Sequence, residues 1–470
     1  MEFEAIIGLE LHIQMKTKSK LFSNAPVSFG ESPNTNVALL DIGFPGVLPL
    51  VNKQAIINAI RVANALNMKI DDTIVFDRKN YFYSDLPKGY QITQEFRPLG
   101  KEGFIKVDNK LIRLQRLHIE EDTCKQIHYS DFTLLDYNRA GIPLIEIVTY
   151  PDFTNGVEAA RFVEKIRSIV TFLDVSDGKM EEASLRCDIN ISLHEKGSDK
   201  YGTKVEIKNL NSISNIQKAI EYEINRQSTV LENDKTIKQE TRRFDEKSKK
   251  TMAMRVKVDS IDYKCFVDSN IPPIKLSESF IKEAIESSNE LPDQKIERYL
   301  ALGLNKKDVD RLVVDKDTAL YFDEMIKAGA NPKLACNWLL MDVQSYLNNK
   351  SIDITSFPIS SNELVKLIKV VESHLINNKQ AKELFIDIIE TGDSLDRLLS
   401  KYEVEQINDE NELIYIIDDV LNKNQELIKE YKNGKEKVLK YLIGQVMKNS
   451  HNKANPELAG KLLIQEIKRR

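Results

Sequence analysis

Two segments between positions 176 and 212 alternate apolar and ionic residues with a period of two, the spacing of the two faces of a β-strand. Carboxylates bind cations and basic side chains bind phosphate, so such a face could handle both kinds of ion. Two ordinary amphipathic strands explain the same pattern, and these residues alone favour that simpler interpretation. The polar faces are Ser184, Arg186, Asp188 and Asn190 in the first segment, and Lys204, Glu206 and Lys208 in the second.

The amino-terminal segment Ile7–Gln14 has the same alternation and offers ligands for a metal ion. Its strand pattern places Glu10, His12 and Gln14 on one face and leucine and isoleucine on the other. A Glu and a His two residues apart on a strand can both reach one ion. We therefore expect this strand to border any metal site.

A run of acids, His118-Ile-Glu-Glu-Asp122, is a second source of ligands. Regular alternation groups His118, Glu120 and Asp122 and places Glu121 opposite. Successive acids repel one another unless a cation or a base compensates them, and a solvated turn is the alternative. With Asp188, carboxylates from three segments could converge, and mostly oxygen ligands favour Mg²⁺ over Zn²⁺.

Residues 77–91 interleave Arg78, Lys79 and Lys88 with three tyrosines, a composition that can hold phosphates and stack a base. An edge strand followed by a hairpin explains it equally well. The chain has no Gly-x-x-x-x-Gly-Lys-Ser/Thr loop and no dinucleotide-binding Gly-x-Gly-x-x-Gly. Any nucleotide site is therefore of an uncommon kind.

The pattern of strands and helices that must position these groups predicts an α+β fold in three parts. Strand-like alternation with turn glycines and prolines dominates the first 290 or so residues, and helical spacing interrupts it only at 54–66 and 156–173. The prolines of 270–273 and Pro292 end this sheet domain, because proline cannot continue regular hydrogen bonding. We predict a domain at 1–291, a helical domain at 292–404 and a small helical tail domain at 405–470.

Bulk composition limits the class of protein. At 470 residues the chain should form several domains, and no apolar run approaches the length of a membrane span. The four cysteines lie far apart, and the first residues carry no basic leader. A cytoplasmic protein is expected.

The carboxyl-terminal forty residues are basic although the whole chain carries a net charge of -5. Ten Lys or Arg stand against three Glu from Tyr431 to Arg470, a local net charge of +7. A basic segment on an acidic protein indicates RNA binding, with a solvated basic bundle as the alternative. The candidate RNA-binding residues are Lys435, Lys440, Lys448 and Lys453.

Several motifs together resemble one family. They are Gly8-Leu-Glu-Leu-His12, Arg78-Lys-Asn-Tyr-Phe-Tyr83, Asp85-Leu-Pro-Lys-Gly-Tyr-Gln91, His118-Ile-Glu-Glu-Asp122, Asp136-Tyr-Asn-Arg-Ala-Gly-Ile-Pro-Leu-Ile-Glu146, Ser176-Asp-Gly-Lys-Met-Glu-Glu182, Ser184-Leu-Arg-Cys-Asp188 and Glu206-Ile-Lys-Asn-Leu-Asn-Ser212. This set resembles GatB, the B subunit of the tRNA-dependent amidotransferase, and the resemblance spans nearly the whole chain.

The resemblance implies a glutamine-hydrolysing carbon–nitrogen ligase that works as a heterotrimer with an amidase, the A subunit, and with a small C subunit. The sheet domain would be an antiparallel cradle related in fold to glutamine synthetase. It would use Mg²⁺ and ATP to phosphorylate the side-chain carboxylate of Glu-tRNA(Gln), and of Asp-tRNA(Asn) in many bacteria. Ammonia from the amidase would then displace the phosphate. A non-catalytic tRNA-binding scaffold is the alternative.

The resemblance also implies residue roles. It assigns Glu10, Arg186 and Asp188 to catalysis, Glu10, His12, Glu120 and Glu121 to the metal, and Lys79, Lys88 and Lys204 to the nucleotide or its phosphates. Alternation favours Glu120 as the ligand and the family roles favour Glu121; a β-bulge would exchange them. Many family members carry Cys-Pro-x-Cys before a Gly-x-Pro-Gly turn, and this chain has Ala38 and Asp41 there. We therefore expect no zinc.

Overall fold

The computed structural model describes residues 2–198, 200–256, 263–373, 375–403, 409–432, 437–450, 454 and 456–470. The chain divides into two compact units, Met1–Lys295 and Ile296–Arg470. The fold is α+β, with a large sheet in the first unit and helices in the second. The three-part division at 291 and 404 stays a prediction.

The first unit is built on a nine-stranded sheet with the order β14-β13-β12-β11-β1-β10-β7-β6-β2. These strands and those of three smaller sheets are β1 (Phe3–Gln14), β2 (Lys69–Ile70), β3 (Thr73–Ile74), β4 (Asp77–Asn80), β5 (Tyr90–Thr93), β6 (Gly100–Val107), β7 (Lys110–Glu121), β8 (Lys125–His128), β9 (Thr133–Asp136), β10 (Pro143–Thr149), β11 (Leu185–Glu195), β12 (Val205–Lys208), β13 (Glu240–Asp245), β14 (Lys250–Val256), β15 (Phe266–Val267) and β16 (Ile274–Lys275).

The central strands lie antiparallel, and their register aligns the polar residues of successive strands. In β1, Glu10 faces Asp188 of β11, and His12 faces both Arg186 of β11 and Glu146 of β10. The β12/β13 pair is parallel, so the sheet is not purely antiparallel as predicted. A parallel pair needs a crossover, which a long helix between the two strands supplies.

Four helices lie entirely within the described residues of this unit: α1 (Lys53–Ala65), α2 (Gly156–Phe172), α3 (Ile213–Glu232) and α4 (Glu278–Glu286). The first two agree with the predicted helices to within a residue or so. The prediction of only two helices in the first 290 or so residues is wrong, because α3 and α4 are also present. Helix α3 buries Asn215, Glu223 and Gln227 among its apolar residues, and these polar residues interrupt the apolar spacing.

The apolar face of the sheet forms the core of the unit. Leu9, Leu11 and Ile13 of β1 are almost completely buried, and they belong to one cluster with apolar residues of α1, α2 and α3. Alternation then leaves the even-numbered residues of β1 on the opposite face. Burial of one face by the helices therefore leaves the ionic face open.

The second unit is helical. Its helices follow one another as α5 (Pro292–Ala301), α6 (Lys306–Leu312), α7 (Lys316–Lys327), α8 (Pro332–Asn337), a π-helical turn (Trp338–Val343), α9 (Gln344–Lys350), a 3₁₀ turn (Ile354–Ser356), α10 (Ser361–Glu372), α11 (Asn378–Thr391), α12 (Leu395–Glu403), α13 (Glu410–Lys423), α14 (Gln425–Lys432), α15 (Lys437–Asn449) and α16 (Pro456–Arg469). Helices α13 to α16 share a hydrophobic cluster. Within the described part of the chain, no helix combines the length and apolarity that crossing a bilayer requires.

Candidate active site

A cavity of about 440 Å³ lies on the open face of the sheet. Five neighbouring strands, β7, β10, β1, β11 and β12, supply its floor. Almost every residue around it is charged or polar: Glu10, His12, Lys79, Thr93, Glu95, Arg116, His118, Glu120, Glu146, Asp188, Asn190, Lys204, Glu206, Lys208, Gln239 and Tyr263. The cavity thus combines carboxylates with basic side chains, as a metal–phosphate ligand would require.

Two histidines and two glutamates form the centre of this cavity. His12 Nε2 lies 3.2 Å from Glu146 Oε2 and 3.7 Å from Glu120 Oε1. His118 Nε2 lies 3.4 Å from Glu120 Oε2 and 3.3 Å from Glu146 Oε2. Thr93 also donates a hydrogen bond to Glu120 at 3.2 Å. Each glutamate therefore lies between the same two imidazole rings.

The electrostatics of the cluster favour anionic glutamates. Burial tends to lower the pKa of His118, but Glu146 and Glu120 raise it to about 10. The pKa of His12 is raised in the same way, with burial opposing and Glu146 dominating the attraction. For Glu146, burial acts to raise the pKa, but the two histidines outweigh it and bring the pKa well below its ordinary value. A divalent cation would take over the compensation that the imidazolium charges provide.

The donor set fits a magnesium ion. One ligand atom each from His12, Glu120 and Glu146 lies within 4.8 Å of the others, so a single ion can reach all three. Two carboxylates and one imidazole suit Mg²⁺ or Mn²⁺, which prefer oxygen ligands and retain waters. The chemistry of these three groups therefore suits the metal that the sequence motifs implied.

Glu10 and Asp188, both predicted site residues, lie beside this cluster. Glu10 accepts a hydrogen bond from Asn190 Nδ2 at 2.8 Å. Asp188 accepts one from Lys208 Nζ at 2.5 Å, and Lys208 also lies 3.1 Å from Glu206. Burial opposes but these two carboxylates raise the pKa of Lys208, which keeps it protonated. Asp188 thus holds the ammonium group of Lys208 at the cavity wall.

The predicted phosphate-binding lysines have different surroundings. Lys204 is exposed at the cavity rim, and Lys79 lies along the wall with its Nζ 4.8 Å from the centre of the Tyr263 ring. Lys88 forms an ion pair with Glu121, with Nζ–Oε1 at 2.5 Å. Only Lys79 and Lys204 of the three border the cavity.

Glu121 does not join the histidine–glutamate cluster. Its carboxylate accepts hydrogen bonds from Lys88 and from the backbone amide of Ile92, at 2.8 Å for the latter. The register of β7 with β10 continues unbroken from Leu117 to Glu121, so no bulge exchanges Glu120 and Glu121. Simple alternation thus describes the arrangement of this pair.

Arg186 lies next to the cavity and contacts Asp122. Its Nη2 is 3.1 Å from Asp122 Oδ1, and Arg139 Nε lies 3.3 Å from the other oxygen of the same carboxylate. Arg186 pairs with His12 in the register of the sheet. This arginine therefore lies beside His12 in the sheet and forms an ion pair with Asp122.

The sequence assigns no role to Glu146, His118 or Arg116, and it names Asn190 and Lys208 only as members of polar strand faces. Glu146 had a detectable signal: it is a lone charge in an otherwise apolar strand, Pro143–Thr149, and its even-numbered position places it on the polar face. His118 stood in the acidic run but was not chosen as a ligand. Cross-strand register, which the sequence does not state, brings both residues to His12.

The predicted tRNA-binding lysines lie far along the chain. Lys440 and Lys448 are exposed on helix α15, whose apolar residues Leu442 and Val446 are buried. Lys435 and Lys453 lie outside the described residues. For Lys440 and Lys448, exposure is what contact with a phosphate backbone requires.

The loop with Ala38 and Asp41 is held by hydrogen bonds. Asp41 accepts from the Lys20 ammonium at 2.9 Å, from the Ser23 hydroxyl at 3.0 Å and from the Ala38 amide at 2.8 Å. The side chain of Lys20 is completely buried, and burial lowers its pKa. One carboxylate thus connects residues 20–23 with residues 38–41.

Comparison with known proteins places these observations in one family. Residues 5–282 match the GatB/GatE catalytic domain, and residues 320–467 match the GatB domain. The B subunit of the aspartyl/glutamyl-tRNA(Asn/Gln) amidotransferase of Persephonella marina is 44% identical, with 100% of each chain covered. The proteins of that name from Mycoplasma capricolum and Lysinibacillus sphaericus are 44% and 43% identical, and the alignments cover at least 98% of each chain. This chain therefore belongs to the GatB family.

Proposed function

We propose that this chain is the B subunit of a tRNA-dependent amidotransferase and activates the side-chain carboxylate of a mischarged aminoacyl-tRNA. The products would be Gln-tRNA(Gln) and Asn-tRNA(Asn). The observation that carries the proposal is the cavity in which a histidine–glutamate cluster faces lysines and an arginine. A site for ATP-dependent phosphorylation needs a ligand cluster for a divalent cation and basic side chains for several phosphate oxygens.

The chemistry requires activation before amidation. A carboxylate is a poor acyl donor, so one of its oxygens first attacks the γ-phosphorus of ATP and ADP leaves. Ammonia then attacks the acyl carbon, the new C–N bond forms, and inorganic phosphate departs. When bound, Mg²⁺ would supply charge neutralisation at the transferring phosphoryl group.

We assign roles within the cavity as follows. His12, Glu120 and Glu146 would hold the metal, with Glu10 alongside. Lys79, Lys204, Lys208 and Arg116 would contact phosphate oxygens, because their side chains border the same cavity. Asp188 would orient Lys208 through their ion pair. Arg186 would help to position His12 through its ion pair with Asp122. The Lys88–Glu121 ion pair would stabilise the fold without binding a ligand.

The proposed partners are an amidase, which would release ammonia from glutamine as the A subunit, and a small C subunit. The names of the relatives, each a B subunit, support an assembly of this kind. We also propose that the assembly works in the cytoplasm, where mischarged tRNA is formed.

The decisive experiment is co-expression of this chain with the amidase and the small C subunit. The purified complex is given glutamine, Mg-ATP and either mischarged tRNA, and Gln-tRNA(Gln) and Asn-tRNA(Asn) are quantified separately. Amide formation that requires ATP supports the proposal. If Glu10→Gln leaves the amidation rate unchanged, the chain is a non-catalytic scaffold and the assigned chemistry is wrong.

The basic helix α15 is expected to contribute to tRNA affinity. Reversing two charges with Lys440→Glu and Lys448→Glu should raise the apparent KM for tRNA about tenfold at moderate salt. The slope of log affinity against log salt should also become shallower by about two, because two phosphate contacts are lost. The measurement is tRNA binding by the complex at several salt concentrations.

The matched control reverses Lys106 and Lys235 to Glu, two exposed lysines of the first unit. This control changes the net charge equally. If both double variants weaken binding to the same extent, general charge and not helix α15 accounts for the effect. Removing 405–470 altogether should raise the same KM further.

A further inference from the structure

A short series of polar contacts connects the cavity of the candidate active site to a buried residue outside it. Strands β12 and β13 run parallel, and their register places Thr241 opposite Glu206. The Thr241 hydroxyl donates a hydrogen bond to Glu206 Oε2 at 2.8 Å, and Glu206 Oε1 lies 3.1 Å from Lys208 Nζ. Glu206 and Lys208 border the cavity, and Thr241 is not one of its lining residues. One carboxylate therefore joins Thr241 to a lysine of the cavity.

We propose that Thr241 is a positioning residue for Lys208. Its hydroxyl fixes the Glu206 carboxylate, and that carboxylate keeps the Lys208 ammonium at the place where it meets phosphate oxygens. The inference rests on the proposed function, which gives Lys208 its phosphate contact. It extends that function to a side chain that lies outside the cavity.

Lys208 needs such support, because its ammonium is a point charge on a flexible four-carbon stem. The ammonium is held between two strands: Asp188 Oδ2 of β11 lies 2.5 Å from Nζ, and Glu206 of β12 supplies the second contact. The Lys208 side chain is 37% exposed, so solvent competes for the ammonium and a single anion leaves it free to swing. A second anion at a fixed position restricts the ammonium to one place.

The Glu206 carboxylate must itself be fixed, and Thr241 is suited to fix it. Thr241 is only 2% exposed, so water does not compete for its hydroxyl. Hydrogen bonds to ionised groups are stronger than neutral ones, and a β-branched side chain has few rotamers. A short side chain directly opposite on the neighbouring strand therefore offers its proton in one direction. Serine can offer the same hydrogen bond, whereas valine cannot.

The strand that carries Thr241 is fastened by a buried network of its own. Arg242, the next residue of β13, donates from Nε to the Thr251 hydroxyl at 2.8 Å and from Nη1 to Glu240 Oε1 at 2.5 Å. The Thr251 hydroxyl in turn donates to Oε2 of Glu223, a completely buried residue of α3, at 2.8 Å. These contacts connect β13 with β14 and with α3, and they give Thr241 a rigid support.

A double-mutant cycle in the complex with the amidase and the small C subunit tests the inference. Thr241→Val keeps the shape of the side chain and removes its donor. We expect it to raise the KM for Mg-ATP about tenfold, because a hydrogen bond to a charged group is lost, and to change kcat less than about threefold. Lys208→Met, which removes the ammonium, should raise this KM at least as much. In the Lys208→Met background, Thr241→Val should change the KM by less than about twofold, because the group that it positions is gone.

Two further variants show whether the hydroxyl is responsible. Thr241→Ser retains the donor and should keep the KM for Mg-ATP within about twofold of the wild-type value. Thr133→Val is the matched control, because Thr133 is an exposed threonine of strand β9. It should leave both KM and kcat unchanged. If Thr241→Val does not assemble with its partners, Thr241→Ala takes its place in the cycle.

The outcomes separate this inference from the proposed function. If Lys208→Met raises the KM for Mg-ATP and Thr241→Val does not, Thr241 positions nothing and the proposed function stands. Thr241 serves the fold and not Lys208 if its substitution keeps its full effect in the Lys208→Met background, if serine impairs as much as valine, or if neither valine nor alanine permits assembly. If Lys208→Met itself changes neither KM nor kcat, Lys208 makes no phosphate contact, and that part of the proposed function is wrong as well.

Discussion

Glu146→Gln is expected to reduce ATP-dependent amidation by at least about 100-fold while tRNA binding is retained. Glu146 lies between His12 and His118, within 3.3 Å of both rings, and it is one of the three groups that a metal can reach together. Glutamine keeps the size of the side chain and removes its charge. The metal would then lose an anionic ligand, and the two imidazoles would lose a shared partner.

The effect should be visible in metal binding as well as in activity. We expect Mn²⁺ affinity, measured by calorimetry or electron paramagnetic resonance on the complex, to fall at least about tenfold. Glu195→Gln is the matched control, because Glu195 is an exposed glutamate at the end of strand β11. Wild-type activity in Glu146→Gln would exclude this cluster as the metal site.

Glu121→Leu is expected to lower the free energy of unfolding by about 3–5 kcal/mol. The Lys88 and Glu121 side chains are only 8% and 5% exposed, and they form a close ion pair. Removing the carboxylate leaves a buried ammonium without its anion and the Ile92 amide without its acceptor. The measurement is the urea midpoint of the full-length chain compared with wild type.

The double variant Lys88→Met with Glu121→Leu separates pairing from packing. Two apolar side chains leave no uncompensated charge, so we expect most of the lost stability to return. Glu2→Leu is the control, since Glu2 pairs with Lys196 at the surface and its loss should change stability by less than about 1 kcal/mol. A Glu121→Leu chain as stable as wild type would show that Lys88 finds another partner.

Glu120 and Glu121, adjacent acids of the 118–122 run, have different surroundings. Glu120 belongs to the histidine–glutamate cluster, and its neighbour Glu121 neutralises a buried lysine. A substitution of Glu120 should affect activity more than stability, and a substitution of Glu121 should affect stability first. Neighbouring residues of one strand can differ in this way because their side chains point in opposite directions.

Much of the fold follows from local pattern. Period-two alternation in Phe3–Gln14 and Leu185–Glu195 predicts which face of each strand is apolar, and burial of Leu9, Leu11 and Cys187 agrees with it. Helices α1 and α2 are equally evident from their apolar spacing. Helix α3 was missed because it buries polar residues against a charged network, Glu223 with Arg226 and Arg242, which only the packed structure reveals.

The sequence by itself therefore determined the α+β class, the ionic face of each strand and the family, because all three depend on residue types at short spacing. Only the tertiary structure decided which charges meet. Glu146 and His118 join His12 through the register of β1, β10 and β7, although each lies more than one hundred residues from His12 along the chain. Register and buried pairing depend on contacts between distant segments, and neither alternation nor composition specifies which strands become neighbours.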